Sequence, residues 1–313
     1  MNKKRAIAGF LLSFVFLTFF VYLASGVGSF LKNLSENRAD FLGNVSGAEA
    51  VSTVNDITNS ADANTVSGSP LARPDVNAEA AISIESNLLG TDKTIFDKDS
   101  EKQLPIASLT KLMTAIIVLD NYKLSSTAVV DKFADAQDPM KQDVKLGDKM
   151  TVESFLDIML VESSNKSAYA LSEVMGEPAF VALMNKKAKD IGLEKTFFAD
   201  PTGLSAQNVS TASDLGKLAE YILKNNSKIG DISRVKEFDV PGFGKITNTD
   251  QLLGEIPEIV CSKTGFTTQA KGCLLLVINN PKNDGYIINV ILGADDRFAE
   301  MEKIINWSSE VCK

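Results

Sequence analysis

The 313-residue chain contains no histidine. That absence removes imidazole from every role as general base, general acid or metal ligand, and with it the Ser-His-Asp route to an activated serine. Cysteine is scarce: Cys261, Cys273 and Cys312 are the three in the chain, with no Cys-x-x-Cys spacing. An odd number this small makes no disulfide framework, and Cys261 and Cys273 are expected to be buried small hydrophobes. Zinc would have to rely on those thiols and carboxylates alone, so no metal and no other cofactor is expected. Basic residues are outnumbered 32 to 40, a formal net charge of -8, which argues against nucleic acid because phosphate binding needs a basic face. With 44% hydrophobic and 23% charged residues, the chain is otherwise of ordinary globular composition and can bury a full-sized core.

The first 77 residues read differently from the rest. Asn2, Lys3, Lys4 and Arg5 precede an apolar run from Ala6 to Leu31, longer than the core of a cleaved signal and long enough to span hydrocarbon. Residues 1–31 are therefore expected to be an N-terminal membrane anchor, with cleavage near Ala24, Ser25 and Gly26 as the alternative. In either case the basic cluster stays inside and the remainder is exported, so the chain is expected at the cell membrane as a single-pass protein, or secreted if the segment is cut. Residues 32–77 are rich in Ser, Asn, Asp, Ala and Gly with Phe41 as their one aromatic residue. Such a segment buries too little surface to fold alone. It is expected to be a flexible extracytoplasmic stem spanning roughly 40 Å.

From residue 78 to 313 strand and helix signals alternate in blocks. Apolar or alternating β-rich runs occur at Ala80–Glu85, Lys93–Phe96, Ile259–Phe266, Gly272–Ile278 and Tyr286–Leu292, the last two joined by an Asn279–Gly285 turn. Helical patterns fill Ser108–Asn121, Val152–Val161, Ser167–Met175, Pro178–Ile191, Ala212–Asn225 and Arg297–Ser309. Strands at both ends with helices between predict an α+β domain, one antiparallel sheet with an inserted helical lobe and a cleft where they meet.

A serine peptidase without histidine needs another base, and lysine is the available one. Ser-x-x-Lys occurs at Ser29, Ser108, Ser163 and Ser233, and the spacing carries meaning only on a helix, where residues i and i+3 share a face. Ser108 with Lys111 is the best placed pair, because Leu109, Leu112, Met113, Ile116, Ile117 and Leu119 give it a buried helix. By itself the segment also fits a serine that caps this helix and a lysine in solvent. Ser163-Ser164-Asn165 sets a hydroxyl two residues from a side-chain amide, and on its own equally fits a helix junction bonding its own backbone. Lys263-Thr264-Gly265 occurs once, in a β-type run, where glycine permits close backbone approach and an extended peptide could add as a strand. An exposed strand end guarded by lysine is its alternative. The three lie in order, 55 and 100 residues apart, and together form the signature of penicillin-recognising serine enzymes.

On these motifs, on Pro105–Ala115, on the Phe198–Leu204 segment and on Ile291–Ala294 leading to Arg297, the region Ala78–Trp307 resembles the D-alanyl-D-alanine carboxypeptidases among the low-molecular-weight penicillin-binding proteins. The resemblance implies a β-lactamase/transpeptidase-like fold with a five-stranded antiparallel sheet. It implies Ser108 as the nucleophile toward a peptidoglycan stem peptide ending in two D-alanines, Lys111 as its base, and Ser163 with Lys263 behind it as the route of a proton to the leaving amine. Asn165 would hold the substrate amide, Gly265 would admit its backbone, the backbone N–H groups of Ser108 and Phe266 would form an oxyanion hole, and Thr264 and Arg297 would bind the terminal carboxylate. β-Lactam antibiotics would be covalent inhibitors. Lys166 and Lys271 depart from the family pattern, which often has an acidic residue and a glycine there. Endopeptidase or transpeptidase action on the same groove, a serine β-lactamase and an inactive wall-binding scaffold are the competing readings.

Overall fold

The computed structural model describes residues 71–88, 92–138 and 144–312. The expected anchor and the stem as far as residue 70 lie outside the described residues, and among the described residues no helix is long and apolar enough to cross a membrane.

Five strands form one antiparallel sheet: β1 (Ala80–Ser86), β2 (Lys93–Lys98), β3 (Ile259–Thr267), β4 (Lys271–Asn279) and β5 (Tyr286–Ala294), in the spatial order β2-β1-β5-β4-β3. The first and last thirds of the domain thus meet at the β1–β5 pairing, where Ala80 opposes Leu292 and Ser86 opposes Tyr286. β4 reads as a continuous apolar run because both of its faces are covered: Gly272 to Ile278 are all buried. Leu275 and Val277 join the core under the helical lobe, while Leu274, Leu276 and Ile278 join the core on the other face. The β4–β5 hairpin closes where a turn was expected, with Asn280 N–H donating to Gly285 O at 2.9 Å.

The lobe is organised around the helix Thr110–Asn121, in which every residue from Thr110 to Val118 is buried. A helix enclosed on all sides belongs in a core rather than on a surface. Val152–Val161 and Asn165–Glu173 pack beside it. On the far face of the sheet, Asp296 caps the helix Arg297–Val311 by accepting from Phe298 and Ala299 N–H. This helix buries Met301, Ile304 and Ile305, each worth roughly 2 kcal/mol. Residues 71–77, read from sequence as the end of the stem, lie against this face: Val76 is 2% exposed, Arg73 sits over the Phe96 ring, and Asn77 N–H donates to Glu300 Oε2 at 2.9 Å. Cys261, Cys273 and Cys312 are free and buried.

Candidate active site

The peptide at Ser108 is held in a turn before the long helix begins. Ile106 N–H donates to Asn208 O, Leu109 N–H returns to Ile106 O, and residues Ala107–Leu109 form one 3₁₀ turn. Ala107 adopts φ 47°, a left-handed conformation that costs a non-glycine residue on the order of 1 kcal/mol and must be imposed by its surroundings. Two glycines do this. A methyl group on Gly203 would lie 2.0 Å from Ala107 O, and one on Gly265 would lie 3.0 Å from Ile106 O and 3.1 Å from Ser108 N. The turn is therefore clamped between the 200–205 loop and β3. Ser108 does not cap the helix; no side chain does at that end. Its partly exposed hydroxyl accepts instead from Lys111 Nζ at 3.0 Å.

Lys111 is fully buried, not a solvated first-turn residue. Besides Ser108 it donates to Asn165 Oδ1 and to Thr202 O, both at 2.7 Å. The Thr202 carbonyl is aimed by Asp200, whose Oδ1 accepts from Thr202 N–H, Thr202 Oγ1 and Gly203 N–H, and whose Oδ2 accepts from Ser205 N–H and Asn208 Nδ2. Asp200 thus sets both the acceptor for Lys111 and the glycine that clears Ala107. Asn165 spans the site, its Nδ2 donating to Asp138 O at 3.1 Å.

Ser163 lies between two helices at φ 64°, a second left-handed non-glycine residue. Ser164 takes the capping work, its hydroxyl accepting from Ser167 N–H, which leaves the Ser163 hydroxyl to accept from Lys263 Nζ at 2.9 Å. Lys263 is 2% exposed. Burial, with the Arg297 guanidinium adding to it and Asp250 opposing, pulls its amine down to about 7. Lys263 and Gly265 pair with Leu275 and Cys273, whose side chains face the lobe; Thr264 pairs with Leu274 on the opposite face. Thr264 is buried and its Oγ1 lies 2.5 Å from Thr249 Oγ1. Phe266, two residues on, is 63% exposed. Arg297 reaches Gly265 O at 3.4 Å and stacks on Phe298, with its Nε buried and unpartnered. Burial lowers its guanidinium from the ordinary value.

The nine residues expected from sequence are linked by contacts or adjacency. Lys111 joins Ser108 to Asn165, Lys263 joins Ser163 to β3, and Arg297 closes on Gly265. Thr264 turns its hydroxyl to Thr249 instead. Sequence reasoning gave no role to Asp200, Thr202, Gly203, Asn208, Thr249 or Asp250. The Asp-Pro-Thr-Gly order around Asp200 was a usable turn signal. Both departures from the family pattern are engaged in ion pairs: Lys166 pairs with Asp135 at 2.7 Å and Lys271 with Asp295 at 3.3 Å. Lys271 sits at φ 54°, the conformation that makes glycine the easier choice there. A separate cleft of about 820 Å³, lined by Asp157, Lys228, Ile232 and Phe238 among others, contains none of the motif side chains.

The profile of the family described as D-alanyl-D-alanine carboxypeptidase matches residues 65–296. A D-alanyl-D-alanine endopeptidase of Escherichia coli is 34% identical over 261 residues, 78% of this chain and 81% of that protein. A D-alanyl-D-alanine carboxypeptidase structure from Mycobacterium tuberculosis superposes with a TM-score of 0.69 at 26% identity, covering 77% of this chain and 94% of that one. Penicillin-binding protein D2 of Listeria monocytogenes in its ampicillin-bound form gives 0.64 at 25% identity, over 74% and 97%. The chain belongs to the D-alanyl-D-alanine carboxypeptidase family of serine peptidases and has the penicillin-binding, transpeptidase-like α+β fold.

Proposed function

We propose that this family member is a serine-type carboxypeptidase that removes the terminal D-alanine from peptidoglycan stem peptides through an acyl-enzyme on Ser108. The observation that carries the reading is the pair of buried lysines, one bonded to Ser108 and to Asn165, the other to Ser163. In the free-base form Lys111 takes the Ser108 proton as Oγ bonds to the carbonyl carbon of the penultimate D-alanine. The carbonyl oxygen takes the negative charge opposite the Ser108 and Phe266 backbone N–H groups. The carbon–nitrogen bond then breaks, and the departing amine takes a proton handed on through the Ser163 hydroxyl. Water attacks the ester, freeing the peptide and restoring Ser108. Asn165 holds the amide side of the substrate, Gly265 admits its backbone along β3, and Arg297 receives the terminal carboxylate, the buried Thr264 hydroxyl being engaged with Thr249.

β-Lactams enter the same groove and leave a stable acyl group on Ser108; the ampicillin-bound Listeria relative supports this. The basic cluster and the apolar run at 6–31 support membrane attachment, with the packed region from residue 71 onward as the catalytic domain outside the cytoplasm and 32–70 as its stem. Cleavage of cross-links is the second reading, favoured by the endopeptidase name of the Escherichia coli relative.

A fluorescent penicillin is expected to label the purified protein and not Ser108→Ala, and mass spectrometry of a stem pentapeptide is expected to show loss of one D-alanine. Release of a whole cross-linked partner in place of D-alanine would establish the endopeptidase. Rapid release of hydrolysed drug would establish a β-lactamase, and absence of both labelling and turnover an inactive scaffold.

A further inference from the structure

The cleft of about 820 Å³ that stands apart from the motif residues is lined mainly from four elements: the strands Lys149–Thr151 and Glu237–Val240 and the helices Val152–Val161 and Ser227–Ser233. Met150, Val161, Ile232, Val235 and Phe238 give it apolar walls. A concavity of this size holds a ligand; it is too large to be a packing defect.

Its charges do not balance internally. Glu153 pairs with Lys228 at 2.6 Å, and Asp231 pairs with Arg234 at 3.0 Å. Lys149, the other cation of the lining, is exposed. Asp157 is half-buried, and among the described residues no hydrogen bond or ion pair reaches its carboxyl. A carboxylate withdrawn from water beside apolar side chains is complementary to an ammonium or guanidinium carried on an apolar body.

The two strands that line the cleft each belong to a two-stranded ribbon, Lys149–Thr151 pairing with Thr127–Val129 and Glu237–Val240 with Gly244–Thr247. Each ribbon therefore keeps an edge whose backbone groups no third strand takes, and an extended chain can bond to such an edge. A second folded copy would need about 800 Å² of matching surface on each partner, whereas Phe238 is the one strongly exposed large hydrophobic residue of the lining.

We propose that this cleft docks an extended segment of another protein, with a lysine or arginine seated on Asp157 between apolar residues packed on Met150, Ile232 and Phe238. Val161 lines the cleft, its carbonyl accepts from Thr249 N–H at 3.2 Å, and Ser163 follows two residues later. The docked segment thus lies against the helix that leads to Ser163, outside the groove of the motif side chains.

The probe is the pentapeptide amide Leu-Ser-Lys-Ser-Leu carrying fluorescein at its N-terminus, in which Leu, Lys and Leu share one face when extended. The same peptide with norleucine for lysine is its control. Anisotropy is read against the full-length protein at about pH 8, where the Asp157 carboxyl is ionised. Wild type is expected to bind the lysine peptide roughly tenfold more tightly than the control, the scale of a hydrogen bond to a charged group. Asp157→Asn should abolish that preference, and Phe238→Ala should weaken both peptides about fivefold. Absence of binding, equal binding of the two peptides by wild type, or a preference that survives in Asp157→Asn overturns the proposal. So does a dimer that Phe238→Ala dissolves, which gives the cleft to a second copy. Should Asp157→Asn fail to fold, Asp157→Ser is put through the same two-peptide comparison.

Discussion

Lys263 donates to the Ser163 hydroxyl at 2.9 Å, joining two residues a hundred positions apart on a strand and an interhelix turn. Burial is the main reason its amine is held near 7, and the Arg297 charge is the second. The rate of acylation by a β-lactam is therefore expected to inflect near pH 7. Arg297→Gln removes the second cause, so the inflection should move to higher pH by less than about one unit, alongside weaker binding. Acylation rates from pH 5 to 9 check this, and a shift to lower pH would sink the assignment.

Lys111→Ala is expected to lower acylation by roughly 10³-fold while leaving the fold intact, the usual scale for loss of a positioned base. Single-turnover labelling beside a thermal melt separates the two effects. A variant that is slow only because it has unfolded would count against the role given to Lys111.

Gly203 and Gly147 have nearly the same φ, 90° and 87°, but different surroundings. Gly203→Ala drives a methyl into Ala107 O, so it should cost about 3 kcal/mol or more and disable Ser108 with it. Gly147→Ala meets nothing within 4 Å, so it should cost about 1 kcal/mol and leave activity untouched. Urea denaturation of both variants gives the comparison.

Asp157, half-buried in the separate cleft near Glu153 and Lys228, has its carboxyl raised to about 6, first by burial and then by Glu153, with Lys228 opposing. A folded value above the unfolded 3.8 means that the stabilisation is complete below pH 4 and is lost as pH rises through 6. Asp157→Asn should therefore be more stable than wild type above pH 6, by about 1 kcal/mol after solvent screening, with the gap closing toward pH 4. Melting temperatures at pH 4, 5 and 7 test the sign.

The five strands were legible because β4 and β5 are apolar on both faces, and the long helices because their periodicity is strong. The brief antiparallel pairs Glu237–Val240 with Gly244–Thr247 and Thr127–Val129 with Lys149–Thr151 were not legible, since segments this short and exposed carry little pattern. In the site, side chains that do chemistry were legible through the order of their motifs. The loop at Asp200 acts through a backbone carbonyl and a missing methyl, neither of which advertises itself in a single sequence. Thr249 was hidden for another reason: its partner is fixed by tertiary packing fifteen residues away.

The position of β3 on the rim of the sheet has a bearing on how the protein behaves when crowded. The end of this edge strand, where Phe266 is exposed while Cys261 to Gly265 are buried, is a place where a second copy can adhere. Such adhesion would fill the groove that a peptide needs, so occupancy by a β-lactam should reduce light scattering in concentrated solution, and unchanged scattering would show that the rim does not self-associate.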